Sequence, residues 1–595
     1  MLRWLFPCML GACSFAVTPG EGLEIRRTIV ADSAAELSSG VLTGGVVSPR
    51  GVIEPDSFVL GGLHARAFAG ELVDDDDSYE EVEIKAAAAP ARGAAYRQLL
   101  VNWGGDRPRG LGLLASADYT LLYDGEILLP AGPVRLEVTA DDRAFVQIAL
   151  DRAAPGTFGA PLRAQNATET LELTVGDAGW YPIRAAYAQA SGGASLQLTL
   201  VDGPVRTAVG PERLRARVTD SPGLMVFGFD GQGFVLDRGA TTRPTIDDAF
   251  QLNAPPFDLG MQGDRFSLRY AGQLRIDTAG SYTFTANVGG DASDGWRLWL
   301  DGAPVAYRWG GVPDLASVTL DLDAGWHDIL VDYADETGNA EIEIGMTGPD
   351  APDGGVIDPA HLRPAVKFGN TFTFLQPATT SILDLMSTLV PLPLPGTALT
   401  VIDSVDYGFR IDNQDMAALE VVLFDCTAGK PLPLRETPGY HYYAADRSCA
   451  GKATMPAFPW SLRITDKVSG NAPFAGTGVL REYGISALYH GGDRMPFAPV
   501  VVYDSASAPT PGALRIDDLR VVGAFDGAAV ELAIRTGRDP DSLAAAAWVV
   551  VADGELPDVE ASELVQYRIV LTTNGWQFPQ LDKVEIGYAV AAEQD

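Results

Sequence analysis

Short runs in which apolar and polar residues alternate with period two most narrow what this chain can fold into. Val134, Leu136 and Val138 alternate with Arg135, Glu137 and Thr139. Leu196, Leu198 and Leu200 alternate with Ser195, Gln197 and Thr199, and Ile342, Ile344 and Met346 with Glu341, Glu343 and Gly345. Such alternation marks half-buried antiparallel strands. With 65 glycines and 40 prolines the chain is broken too often for long helices, and residues 541–548 are the best stretch for a short one. The expectation is an all-β, multidomain protein, and 595 residues at roughly 150 per domain give about four domains.

Charge excludes some partners. A net charge of −35 argues against sequence-independent nucleic-acid binding, which needs clustered Lys and Arg. It also disfavours direct docking on anionic lipid. Acidity fits a surface protein, a Ca²⁺ binder or adaptation to salt, and does not choose among them. The run Asp74–Asp77 followed by Glu80, Glu81 and Glu83 reads as an exposed, self-repelling loop or extended edge.

The N-terminus has the three-part logic of an export signal: Arg3, the apolar Trp4–Leu10 stretch, then small residues before Cys13. Leu10-Gly11-Ala12-Cys13 resembles the lipobox of bacterial lipoproteins. That resemblance implies cleavage before Cys13 and acylation of its thiol, a stable anchor. A plain secretory peptide, cut near Ala16 or Gly20, is the other reading. Beyond the leader only Cys426 and Cys449 remain, which suggests one disulfide worth about 3 kcal/mol in the chain-entropy model. No run of 18 apolar residues follows.

A weak repeat organises the first two-thirds. Ala131-Gly132 matches Ala279-Gly280, Gly179-Trp180 with Tyr187 matches Gly325-Trp326 with Tyr333, and Pro211-Glu-Arg-Leu matches Pro359-Ala-His-Leu, all at offsets of about 148 residues. A period of that size is a duplicated domain rather than a solenoid. Residues 266–302 and 323–346 carry Ala-Gly-x-Tyr-x-Phe, an acidic turn, Arg-Leu-Trp-Leu-Asp-Gly and Ala-Gly-Trp, an order that resembles the PA14 domain. Residues 102–214 look like a more divergent copy. The resemblance implies β-barrel-like sandwiches that, in adhesins, bind sugars through Ca²⁺ held by two consecutive aspartates. Asp141-Asp142 falls where that pair belongs, and a solvated turn that caps its own backbone is the alternative. In the second copy Ser293-Asp294 replaces the pair, with Asp291 three residues upstream of Asp294, so a Ca²⁺ site there is weaker on this reading. Trp296, Trp299 and Trp309 are candidates for stacking on sugar rings, although alternation puts Trp296 and Trp299 on opposite faces and so at least one in the core.

Residues 459–486 resemble the end of a proprotein-convertase P-domain, a jelly roll, through Trp460, Leu462, Ile464, Asp466 and Tyr483; residues 405–425 are taken as its earlier paired strands. Strand signals at 514–522, 530–534, 567–571 and 584–588 suggest a further sandwich. The expected order is a signal peptide (1–12), a tether with first strands (13–50), a divergent PA14-like domain (51–219), a PA14-like domain (220–368), a P-domain-like jelly roll (369–500) and a C-terminal sandwich (501–595).

Five dispersed histidines form no His-Glu-x-x-His helix, and no Gly-x-Ser-x-Gly elbow appears. The expectation is a non-enzymatic, exported lipoprotein of the cell surface or outer membrane. It binds a glycan or surface polysaccharide with Ca²⁺ assistance and meets the membrane only through its anchor. The alternative is a structural or assembly protein whose β-modules contact a protein partner.

Overall fold

The computed structural model describes residues 24–591, leaving out 49–51, 114–116, 152–155, 219–221, 251–258, 290–293, 309–316, 365–370, 393–399, 413–415, 425–428, 433–438, 445–459, 468–477, 492–496 and several shorter stretches. Antiparallel strands dominate, and among the described residues the α-helices are three short ones, Ala34–Leu37, Tyr79–Ala88 and Pro540–Ala545. The chain is an all-β, multidomain protein. No helix among the described residues is long and apolar enough to cross a membrane.

The chain divides into two compact units, one built from residues 1–57 with 497–595, the other from 58–496. In the first unit, strand Glu24–Ala31 pairs along its full length with Gln580–Ala591, and Val41–Thr43 pairs with Val500–Asp504. Ala31, Leu37 and Ile53 share a core with Tyr503, Leu519, Ile569 and Ile586. The stretch expected as a tether with first strands contributes its strands and core residues to the same unit as residues 497–595. Ser57 bridges Phe497, and the Ala498 amide donates to the Asp56 carbonyl at 2.9 Å. The chain thus leaves this sandwich and returns to it at neighbouring points, with residues 58–496 inserted between them.

Within the second unit, the strand pairing of residues 63–217 is repeated in 224–363. Strand Tyr119–Leu129 pairs with Gly179–Gln189 as Phe266–Ile276 pairs with Gly325–Asp335. The long strand Gly132–Ile148 pairs by its first half with Ala194–Asp202 and by its second with Gly179–Gln189. In the second copy these two halves are separate strands, Gly280–Gly289 and Gly295–Leu300, paired with Ala340–Thr347 and Gly325–Asp335. The repeated sequence anchors now have causes. Gly179 and Gly325 adopt positive φ, 152° and 141°, before their tryptophans. Arg215 stacks on Trp180 at 4.5 Å and Arg363 on Trp326 at 3.9 Å, tying the strand after each Pro-x-x-Leu to its Gly-Trp. A Cβ on Gly125 or Gly272 would lie 2.4 or 2.2 Å from the carbonyl of that same arginine, so each crossing needs glycine.

Each copy has its own interior, Leu121, Tyr123, Val146, Ile183 and Leu196 in the first and Leu268, Tyr270, Leu298, Val331 and Ile342 in the second. A third cluster joins them: Val59, Tyr96, Ala216 and Val218 of the first copy pack on Met225, Phe227, Phe229 and Leu330 of the second. The acidic run expected as a loop or extended edge is instead the approach to helix Tyr79–Ala88, which Ser78 and Glu81 open with a reciprocal capping box. Lys85 holds Asp74 and Asp77, Arg143 meets Asp75, Arg184 meets Glu80 and Arg66 meets Glu83. Basic partners at these spacings turn self-repulsion into attachment.

Residues 371–491 form two four-stranded antiparallel sheets. Strands Thr400–Asp412 and Leu419–Phe424, expected as a pair, fall in different sheets and pair respectively with Gly478–Gly491 and Trp460–Asp466.

Candidate ligand-binding rims

In the first copy the aspartate pair sits where strand Gly132–Ile148 bulges. Asp141 is opposite Ser195, register shifts between Ala140 and Arg143, and Asp142 takes φ 66°. The extra residue turns the two side chains toward the connection after strand Gly179–Gln189. There the Asp142 Oδ2 accepts from the amides of Ala190 at 2.7 Å and Ser191 at 3.2 Å, while the Asp142 amide donates to Asn166 Oδ1 at 2.9 Å. Asp141 has a different setting. Among the described residues no hydrogen bond reaches its carboxylate, and the position a Cβ on Gly193 would take is 3.1 Å from its Oδ2 and 3.4 Å from the Gly104 carbonyl oxygen. A carboxylate and a carbonyl therefore flank one glycine at the rim.

Beneath them lies a tyrosine layer. Tyr187 accepts from the Ser195 amide at 3.2 Å and donates to the Gln189 side chain, whose Nε2 donates to the Gly193 carbonyl at 2.9 Å. Burial, then the neighbouring Tyr119 and both aspartates, push the Tyr187 hydroxyl well above its ordinary range. Burial and Asp142 do the same to Tyr119. The Tyr119 hydroxyl is buried and has no hydrogen-bond partner among the described residues, which is costly unless a ligand or water supplies one. Trp103, half-buried, packs 5.9 Å from Tyr187.

In the second copy Asp294 takes the position of Asp142, since Gly295 pairs with Ala334 as Arg143 pairs with Ala188. Asp335 takes the position of Gln189 and pairs with Phe266. Asp230, Asp294 and Asp335 are 5%, 2% and 0% exposed, so this rim buries three carboxylates. Asp230 is held by Arg238 Nε at 2.7 Å. Burial, then the charges of Asp294 and Asp335, raise the Tyr333 hydroxyl well above the phenol range. Among the described residues no group of three or more His, Cys, Asp or Glu side chains is arranged to hold a metal ion, so a cation at either rim needs carbonyl or ligand oxygens as well.

Two candidate stacking residues are placed elsewhere. Trp296 is core, 3% exposed. Trp299 points to the opposite face and packs against the cluster that joins the copies. Neither presents a free ring face at the rim, because every second residue of strand Gly295–Leu300 faces one of two packed layers. Cys13, Asp291, Trp309, Cys426 and Cys449 lie outside the described residues. The sequence reading missed Tyr119, Gln189 and Asp335. For Gln189 and Asp335 the signal was the repeat itself, which aligns Tyr187-x-Gln189 with Tyr333-x-Asp335.

Comparison with known proteins gives the second copy a family. The model of the PA14 domain matches residues 220–358. Among solved structures, the chain is similar to an anti-sigma factor domain-containing protein from Clostridium clariflavum, at 17% identity over 51% of this chain and 99% of that one, TM-score 0.22. It is also similar to the epithelial adhesin 6 A domain of Candida glabrata in complex with Galβ1-3GlcNAc, at 15% identity over 27% and 88%, TM-score 0.22. A PA14 sugar-binding domain from an RTX adhesin matches at 17% identity over 26% and 98%, TM-score 0.20. A search of curated proteins returns no match. The second copy, at residues 220–358, is a PA14 domain.

Proposed function

We propose that the protein binds carbohydrate, without catalysis, through the rims of two tandem PA14-type domains, and that Ca²⁺ assists. The observation that carries this reading is the rim of the first copy. There the Asp141 carboxylate takes no hydrogen bond from the described protein and lies beside the Gly104 carbonyl, and the buried Tyr119 hydroxyl of the same copy has no partner among the described residues. Such an oxygen-lined edge suits a hard cation whose remaining ligands are sugar hydroxyls. The shared strand pairing supports reading the first copy, residues 63–217, as PA14-type too, and the buried Asp294 and Asp335 support a cation at the other rim. On this reading Cys13 is acylated, the chain is displayed at the cell surface or outer membrane, and Cys426 and Cys449 form a disulfide. The P-domain-like jelly roll and the C-terminal sandwich carry the pair.

A glycan array with and without EDTA tests this. Binding that EDTA abolishes, and that falls at least tenfold in Asp141→Ala, is the expected result. The alternative, a scaffold with a protein partner, is favoured by one observation: Asp142 already closes a hairpin, as a purely structural residue does. Indifference to every sugar in Ca²⁺, with a partner captured by crosslinking, would establish it.

A further inference from the structure

The outer face of the six-stranded sheet in the unit built from both chain ends carries groups that neither rim uses. Five residues follow one another across its strands: Val41 pairs with Asp504, Asp504 with Arg568, Arg568 with Ala533 and Ala533 with Val550. Alternation fixes their side, because Val565, Tyr567, Ile569 and Leu571 point into the core and leave Gln566, Arg568 and Val570 outward. Trp548, at the start of the edge segment, lies over this face. The guanidinium carbons of Arg535 and Arg568 sit 4.4 and 4.6 Å from its ring centroid.

The polar groups are ordered in advance. Arg568 grips Asp504 with two parallel bonds of 2.5 and 2.6 Å, and Arg535 grips the Gln566 Oε1 at 2.9 and 2.6 Å. Gln566 in turn donates to the Ser505 carbonyl. Hydrogen-bonding capacity is left over. A guanidinium has five N–H donors and a carboxylate about four acceptor sites, so Arg568 and Asp504 satisfy only part of theirs on each other. The Trp548 indole N–H has no protein acceptor among the described residues. Around these groups are apolar side chains held in water: Val41 is 70% and Val550 65% exposed.

We propose that this face is a second, cation-independent binding surface for a neutral saccharide. Sugars offer flat C–H faces ringed by hydroxyls. Here an indole and exposed valines meet the former, and a fixed row of guanidinium, carboxylate and amide groups meets the latter. Prior ordering of that row removes much of the entropy that binding costs. An acidic glycan fits worse, because Asp504 offsets the one guanidinium with most free donors.

The test uses the full chain in EDTA, which silences Ca²⁺-dependent binding at the rims. Saturation-transfer NMR against oligosaccharides of glucose, galactose, mannose and N-acetylglucosamine should show contact with at least one. Val550→Asp, on an exposed side chain, should weaken it at least tenfold. Trp548→Ala should abolish it, and Trp548→Phe should restore part of it, which separates loss of the ring from loss of folding. Binding that survives in Asp141→Ala but not in Val550→Asp separates this surface from the rims. No contact with any of these sugars in EDTA overturns the proposal. So does unchanged binding in Val550→Asp, and so does a Val550→Asp variant that merely loses self-association, which would make the face a protein contact.

Discussion

In the first copy Leu122, Phe145 and Ala186 form one row of the outer sheet face; in the second, the same row is Arg269, Arg297 and Asp332. Helix Tyr79–Ala88, inserted between strands Leu63–Ala69 and Ala91–Gln98, covers the apolar row with Tyr79, Val82 and Ala86. The second copy has only five residues between the corresponding strands, Leu224–Asp230 and Leu236–Arg243, too few for such a helix. There Asp332 accepts from Arg269 at 2.7 and 3.1 Å and from Arg297 at 2.7 Å, with Phe234 lying 4.4 Å from the Arg269 guanidinium. The polarity of the adjoining positions, along this row and in the next, is reversed as well. His64, Arg66 and Asp124 in the first copy correspond to Met225, Phe227 and Ala271 in the second. The charged half of the first copy clamps its helix, and the apolar half of the second packs on the first copy. One scaffold thus buries its outer face by two opposite means, and each is fitted to what covers it.

The buried triad gives the largest expected effect. Arg269 is 1%, Arg297 4% and Asp332 0% exposed, and together the two arginines hold the Asp332 carboxyl low despite its burial. Asp332→Ala removes the carboxylate that both buried guanidiniums grip and should destabilise the second copy by about 3–5 kcal/mol. Replacing all three residues by their first-copy counterparts, as Arg269→Leu, Arg297→Phe and Asp332→Ala together, should cost far less than the single change. Urea unfolding of the three proteins checks both, and a triple variant as unstable as Asp332→Ala would break the equivalence of the rows.

The helix comes next. Val82 is fully buried under the first copy's cover, and Val82→Ala should cost about 2 kcal/mol through lost burial and the space left behind. Lys85→Ala should cost less, about 0–1 kcal/mol, because Asp74 is open to solvent. Hydrogen exchange at Leu122, Phe145 and Ala186 reads the undocking directly. Faster exchange in Lys85→Ala than in Val82→Ala would mean that charge, not packing, holds the helix.

At the rims the comparison separates structure from binding. Asp142→Ala should release the amides of Ala190 and Ser191, at about 1 kcal/mol, visible as local exchange in that hairpin. Asp141→Ala should leave stability unchanged while lowering Ca²⁺-dependent binding. If the two variants behave alike, the rim is one structural turn.

How much of this could be read from residues alone follows from where each signal is stored. Strand positions lie in local alternation, so the stretches around 514–522 and 584–588 emerged as strands Ala513–Ala524 and Gln580–Ala591. The Ala-Gly-Trp and Pro-x-x-Leu anchors were legible because a backbone angle and an Arg–Trp stack fix them. Pairing of Glu24–Ala31 with a strand more than 550 residues later leaves no local trace. Helix Tyr79–Ala88 was hidden because only three of its residues face the core, inside a run of acids whose partners are distant in sequence. Nothing local marks Asp332 as buried, since alternation cannot tell a solvated face from one that is covered.

The last difference is one of pH. Tyr181 of the first copy donates to the Asp177 carbonyl, closing the turn before its strand. In the second copy His327 stands at that position with Nε2 2.9 Å from the Asp323 carbonyl, and its Nδ1 lies 2.7 Å from Asp301 Oδ2. Both ring nitrogens face acceptors, so only the imidazolium donates to both. The hydrogen bond to Asp301 raises the pKa above its ordinary value of 6.5, against the opposing effect of burial, and the Asp323 carbonyl adds to the rise. A folded-state pKa above the unfolded one means the stabilisation is complete below about pH 6.5 and is lost as pH rises through the folded value. The second copy should therefore become slightly less stable from neutral to mildly alkaline pH, while the same turn in the first copy does not change. His327→Tyr should remove that slope by restoring the first copy's latch, and Asp301→Asn should flatten it by returning the imidazole toward 6.5. An NMR titration of His327 showing no upward displacement, or a slope that persists in both variants, would place the pH dependence elsewhere in the chain.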